Sequence, residues 1–167
     1  MIEQHYIDDC LFQLRALKAQ AEKAIGQIDD RQFFALLDED ANSIALIMKH
    51  VAGNMRSRWT DFLTSDGEKP DRNRDAEFER EGGDTREAIV ARWNAAWALL
   101  FNTVASLHPD DLGKTVTIRH EPHTVVQAIN RQMSHHSAHV GQIVLLAKHF
   151  AGPNWKTLSM PKRKRRF

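Results

Sequence analysis

The sequence predicts an all-α protein, a four-helix bundle with one short extended segment ahead of the fourth helix. Three observations lead there: four long apolar stripes at helical spacing, a lone stretch of alternating β-branched residues, and no internal repeat of the kind that signals a solenoid.

Ile7, Leu11, Leu14, Ala21, Ile25 and Ile28 recur at intervals of three, four and seven, which predicts a first helix over residues 2–29. Capping residues within 38–43 precede a second stripe, Ile44, Ile47, Met48, Val51, Met55 and Phe62, and predict a helix to about residue 63. Residues 64–75 have no apolar period, carry an Asp66-Gly67 turn signal and Pro70, and predict a charged loop. An Asp84-Thr85 cap opens a third helix, with Ile89, Trp93, Trp97, Leu100 and Val104 on one face, that ends before Pro109. The tryptophan pair, one turn apart, reads as core. Residues 114–119 alternate and predict a short strand before Pro122. Val126, Ile129, Met133, Val140 and Val144 then mark a fourth helix to about residue 150, stopped by Gly152-Pro153.

A chain of 167 residues is long enough to bury about two thirds of its unfolded surface, so neither disulfide nor structural metal is needed for stability, and any metal reads as functional. The division expected is one domain over residues 1–160 and a basic tail over 161–167. The lone Cys10 cannot form an internal disulfide, and the residues after Met1 lack a signal-peptide apolar core, so a cytoplasmic location is expected. No apolar run approaches the roughly 18 residues of a membrane span. The net charge of +1 conceals an asymmetry, because Lys162, Arg163, Lys164, Arg165 and Arg166 lie in the last six residues. Eighteen Lys and Arg against 22 Asp and Glu remain elsewhere, a net of −4, so nucleic-acid contact would fall to the tail alone and a solvated end is the expected reading.

His135 and His139 carry the chemistry most plainly. Residues four apart on a helix lie about 40° apart around the axis and one turn apart along it, so two imidazoles can meet one ion. They need a third ligand from elsewhere. His136 points roughly 100° away from His135 and occupies the place of the glutamate in an H-E-x-x-H peptidase motif, so it reads as a packing or supporting residue. His149 lies about 15 Å further along the helix, near its C-terminus, where the macrodipole explains it. His50, on the border of the second apolar stripe, is the best third ligand, although a lone histidine there also reads as a hydrogen-bonded core residue. His120 and His123 suit turn and capping roles, and His5 and His108 read as surface or end residues.

Lys49-His50 in a second helix, combined with His135-x-x-x-His139-Val140-Gly141-Gln142-Ile143 in a fourth, resembles the DinB-like, or YfiT-like, metalloprotein superfamily. Asn42-Ser43-Ile44-Ala45, residues 57–63, Asp66-Gly67-Glu68-Lys69, Asn73-Arg74-Asp75 and residues 155–159 are similar to one branch of it. The resemblance spans nearly the whole chain and implies an up-down-down-up bundle, usually dimeric, with one divalent metal (Zn, Ni, Fe or Mn) on His50, His135 and His139. It also implies thiol-dependent transfer or isomerisation with bacillithiol, mycothiol or glutathione, or metal-dependent hydrolysis. The charged 64–75 loop is longer than a minimal connection.

Three neutral imidazoles leave a divalent ion open positions, the arrangement of a catalytic site. The first expectation is S-transfer from a low-molecular-weight thiol to a small electrophile, with Asn54, Arg58 and Gln142 as substrate or supporting contacts. The alternatives are metal-assisted hydrolysis, with Asp61, Asp66, Glu68 or Asp75 as candidate acids, and a non-catalytic metal-binding or dimerisation bundle. For the four carboxylates, capping and pairing with Lys69, Arg72 and Arg74 is the simpler role, and Asn54 and Arg58 taken alone read as surface residues. A small-molecule substrate and a homodimer are the partners expected.

Overall fold

A computed structural model describes residues 1–160 and is mostly helical, with five α-helices and one two-stranded sheet. The basic tail expected over 161–167 lies outside the described residues. Helix α1 spans Ile2–Ile25 and stops short of the predicted end, because the chain turns at Gly26 and Asp29 caps a separate one-turn helix, α2, Asp30–Phe33. Asp29 and Gln32 cap each other reciprocally there, satisfying two amides that the apolar pattern alone does not register. Helix α3 spans Ile44–Trp59, with Ser43 accepting from the Leu46 amide. It ends four residues before the predicted boundary, where Asp61 takes a left-handed φ of 48° and Phe62 reaches the core from a turn. The 64–75 stretch is irregular, as its composition predicts, and leads into a 3-10 turn at Asp75–Phe78.

Helix α4, Arg86–Ala105, is capped by Thr85. The predicted single strand is instead half of a hairpin, in which β1, Thr115–Ile118, pairs antiparallel with β2, Glu121–Thr124. Its two-residue turn holds Arg119 at φ 56° and His120 at φ 64°, a conformation ordinarily signalled by Asn-Gly. Asp66 makes it possible here by accepting from the amides of both Arg119 and His120, at 2.9 and 2.8 Å. Burial alone would raise the Asp66 pKa, but these amides and that of Glu68 hold it well below the usual carboxylate range. Gly67 also donates to the Thr117 carbonyl, so the charged loop is tied to the hairpin. Helix α5 spans Val125–Ala151, opens on a Thr124–Gln127 capping box and stops at Gly152, whose φ of 54° favours glycine.

Contacts fix how the long helices run. Tyr6 bonds Val126 and Asn130, while Gln27 bonds Lys156, so α1 and α5 run parallel. Lys49 bonds Asp84 ahead of α4, and Thr103 near its end bonds the Trp59 carbonyl, so α3 and α4 also run parallel. His50 meets His135 and Asn54 meets Gln132, so α3 and α5 run antiparallel. Trp59, Trp93 and Trp97 are buried at the centre, with Trp93 and Trp97 edge-to-face at 5.4 Å, the core role their spacing predicts. No described helix is long and apolar enough to cross a membrane.

Asp66→Ala should free three loop amides and leave the left-handed Arg119-His120 turn unsupported. Denaturant titration is expected to show a loss of about 1–3 kcal/mol, and an unchanged midpoint would refute this role.

Candidate metal centre

The periodicity of α5 decides which histidines meet. Its buried stripe runs through Val125, Ala128, Ile129, Gln132, His136, Val140, Ile143 and Ala147, so of Met133, Val140 and Val144, predicted to centre it, only Val140 is buried, and Val126 is half-buried like the other two. This rotation places His136 in the core and brings His135 and His139 to the face turned toward α3. There they meet His50, buried in the middle of α3. Nε2 of His135 lies 3.2 Å from Nε2 of His50 and 3.2 Å from Nε2 of His139.

The remaining ring nitrogens show what this convergence means. Nδ1 of His50 is 2.8 Å from Oε2 of Glu77, and Nδ1 of His139 is 2.8 Å from Oε1 of Gln142. Both partners are acceptors, so each ring carries its proton on Nδ1 and presents a bare Nε2 to the cluster. His135 Nε2 can donate to only one of its two neighbours, and Nδ1 of that ring is buried with no partner among the described residues. At least one of the 3.2 Å contacts therefore sets two ring nitrogens in opposition with no hydrogen bond between them. A cation relieves that opposition, and nitrogens about 2.0–2.1 Å from a tetrahedral zinc lie roughly 3.3–3.4 Å apart. The donor set therefore fits a divalent ion.

Proton affinity points the same way. Burial, followed by the neighbouring His139 and His50 and by Arg58 and Arg72, pushes the His135 pKa down to about 3. Burial also lowers His139, against the hydrogen bond to Gln142. Both rings are neutral at physiological pH, the state in which imidazole is a ligand.

Glu77, from the 3-10 turn, organises the cluster from behind. Arg72 grips it with two bonds, Nε to Oε1 at 2.8 Å and Nη2 to Oε2 at 2.9 Å, while Nη1 of the same guanidinium reaches Glu68. Burial would raise the Glu77 pKa, but Arg72 and His50 outweigh it and keep the carboxylate charged. The approach depends on Gly53, one turn after His50, since a Cβ there would overlap the Glu77 carboxylate. Phe78 stacks on the His50 ring, with centroids 4.6 Å apart. Lys49 is also buried, held by Asp84 at 2.8 Å and Glu81 at 2.9 Å, which fastens α3 to the segment ahead of α4.

Of the other residues singled out from sequence, Gln142 supports His139 as described. Asn54 and Arg58, which alone read as surface residues, are buried and line a cleft of about 440 Å³ with His50, His135, Gln132 and Arg131. Gln132 links Asn54, at 3.0 Å, to His136, at 2.6 Å, and His136 packs against Trp97, which makes it the supporting core residue its position predicts. The four candidate acids stay away from the imidazoles: Asp66 and Glu68 serve the hairpin and Arg72, while Asp61 and Asp75 are exposed. A larger cleft of about 680 Å³ lies on the other side of Glu77 and includes none of the three histidines. Glu77, Phe78, Gly53 and Gln132 were not legible as site residues, because a carboxylate 27 positions from His50 leaves no periodic signal.

The depressed imidazoles make the metal-stripped protein sensitive to acid. His135 titrates near 6.5 when unfolded and near 3 when folded, so the unfolded chain takes up protons first as pH falls between those values. The stability due to its neutral ring is present above pH 6.5 and is lost as pH falls toward 3. Glu77, held below its unfolded value, acts in the same direction. Thermal melts of metal-stripped protein should show a falling midpoint from pH 7 to pH 4, with a shallower slope in His135→Asn. Identical slopes would contradict the assignment.

The family model described as "Protein of unknown function (DUF1572)" matches residues 1–164. No curated protein matches the chain. With the match running almost from end to end, the chain belongs to the DUF1572 family.

Proposed function

We propose that this protein is a DinB-like metalloprotein that binds one divalent ion through His50, His135 and His139 and uses it for S-transfer from a low-molecular-weight thiol to a small electrophile. The observation that carries this reading is the meeting of three Nε2 atoms, with Nδ1 of His50 and of His139 fixed by Glu77 and Gln142. The parallel α1–α5 and α3–α4 pairs and the antiparallel α3–α5 pair support an up-down-down-up four-helix bundle. A homodimer is part of the same proposal.

When bound, a divalent ion at three imidazoles supplies Lewis acidity and favours the deprotonated form of a thiol or water that reaches it. The chain's own part is to hold the three rings oriented and to keep His135 and His139 neutral. Glu77 keeps the His50 proton on Nδ1, and Gly53 leaves the room that Glu77 requires. One observation favours transfer over hydrolysis. Among the described residues no carboxylate lines the cleft beside His50 and His135, and Glu77 is committed to His50 and Arg72. A thiol, with a pKa of about 8.5 when free, needs no separate protein base once its anion is stabilised. Hydrolysis of a small electrophile and a non-catalytic bundle are the competing readings.

Tag-free protein is expected to carry close to one divalent ion per chain by elemental analysis, and His50→Ala to lose it. Ordinary metal content in that variant would remove the triad. Gly53→Ala displaces Glu77 while leaving every ligand in place, so metal affinity should fall roughly 10- to 100-fold. Unchanged affinity would show that Glu77 does not tune the site. With metal present, a panel of thiols and a generic electrophile should react faster than with metal-stripped protein, and no enhancement would count against transfer.

A further inference from the structure

The helix face that carries His50 continues through Asn54 to Arg58, at successive four-residue steps, so Arg58 lies about 12 Å along α3 from His50. It is 6% exposed, and its Nε and Nη1 are buried without a hydrogen-bond partner among the described residues. Gly67 closes over its stem, because a Cβ there would lie 2.9 Å from Cδ of Arg58. The arginine is therefore held in place by packing, with its donors left unspent. A buried charge left unpaired is costly, so a partner for it is expected.

The surrounding charges do not supply the missing partner. Glu68 is the carboxylate whose charge most favours that of Arg58, but it is engaged by Arg72 and Arg119, each at 3.1 Å. Arg131, on α5 one turn before His135, lines the same cleft, makes no ion pair among the described residues, and has its one side-chain hydrogen bond among them with His123, at 3.4 Å. Arg72, Arg74 and Arg119 complete the rim of the cleft, which has no carboxylate in its lining. Burial, followed by repulsion from Arg131, pushes the Arg58 pKa down to about 10, which still leaves it charged at neutral pH.

We propose that Arg58 and Arg131 form an oxyanion subsite at the end of the cleft away from the histidines, so that the small molecule handled there carries a carboxylate or phosphate group. This rests on the proposed metal site for the reacting end of that molecule, but not for the anion itself. A guanidinium fork matches either group with two parallel hydrogen bonds, through Nε with Nη2 or through the two Nη atoms, and Arg58 holds one donor of each pair, Nε and Nη1, without a partner among the described residues. Anchoring the anion at one end of α3 orients the rest of the molecule along the Asn54 face toward His50. The subsite selects for charge and leaves the chemistry to the imidazoles.

Calorimetric titration at constant ionic strength tests this with malonate, inorganic phosphate and neutral malonamide, on metal-loaded and metal-stripped protein. Malonate or phosphate should bind at least tenfold more tightly than malonamide in both forms, the tighter of the two naming the group. Arg58→Gln should weaken the anion at least tenfold at unchanged metal content, and Arg58→Lys should recover part of the loss. If Arg58→Gln fails to fold, Arg131→Gln, at an exposed position, should weaken the same anion several-fold. Equal binding of malonamide, or anion affinity unchanged in whichever of these variants fold, overturns the subsite. Metal content separates the two readings, since loss of the metal site would leave Arg58-dependent anion binding in stripped protein, and loss of the subsite would leave the metal in place.

Discussion

The bond between Glu77 and His50 is the constraint on which the site depends. It joins an irregular segment to the middle of α3 and fixes the proton of one imidazole on the nitrogen that faces away from the cluster. Its geometry needs three other choices. Gly53 removes the side chain that would block the carboxylate, Arg72 compensates its charge with two bonds, and Phe78 closes over the ring. A buried carboxylate and a buried histidine would each be costly alone, and together with Arg72 they form a satisfied network. Its stability and its orienting role come from the same contacts.

The parts of the fold written in local periodicity were legible. The four apolar stripes located α1, α3, α4 and α5, and Ser43, Thr85 and Gly152 placed ends of three of them. The His135-His139 pair was legible for the same reason, since helical spacing alone brings two rings together. Features that depend on distant partners were not. The hairpin turn at Arg119-His120 lacks the usual turn residues because Asp66, 53 and 54 positions away, supplies the hydrogen bonds. Helix α1 was predicted four residues too long because Ile28 continues to bury apolar surface after the chain has turned at Gly26, and the one-turn α2 beyond it is too short to show a period.

The same distinction runs through the site. His50 stood out as a histidine beside an apolar stripe, but its carboxylate partner lies in a 3-10 turn that follows a loop whose composition says only that it is charged. Arg58 shows the converse: in sequence it is one more arginine near a helix end, and only burial without a partner gives it meaning. The charged 64–75 stretch, longer than a connection requires, now has a structural account. It carries Asp66 to the hairpin, Gly67 over Arg58, and Glu68 and Arg72 to the back of the histidine cluster. Loop length here brings supporting residues to both ends of one cleft.

The central claim is that His50, His135 and His139 form a single coordination sphere. Anomalous diffraction at the absorption edge of the bound metal, from crystals of tag-free protein, addresses it directly. One peak is expected about 2.0–2.1 Å from Nε2 of each of the three rings, with Nδ1 of His50 still on Glu77. A peak elsewhere, or contact with fewer than three of these nitrogens, would contradict it.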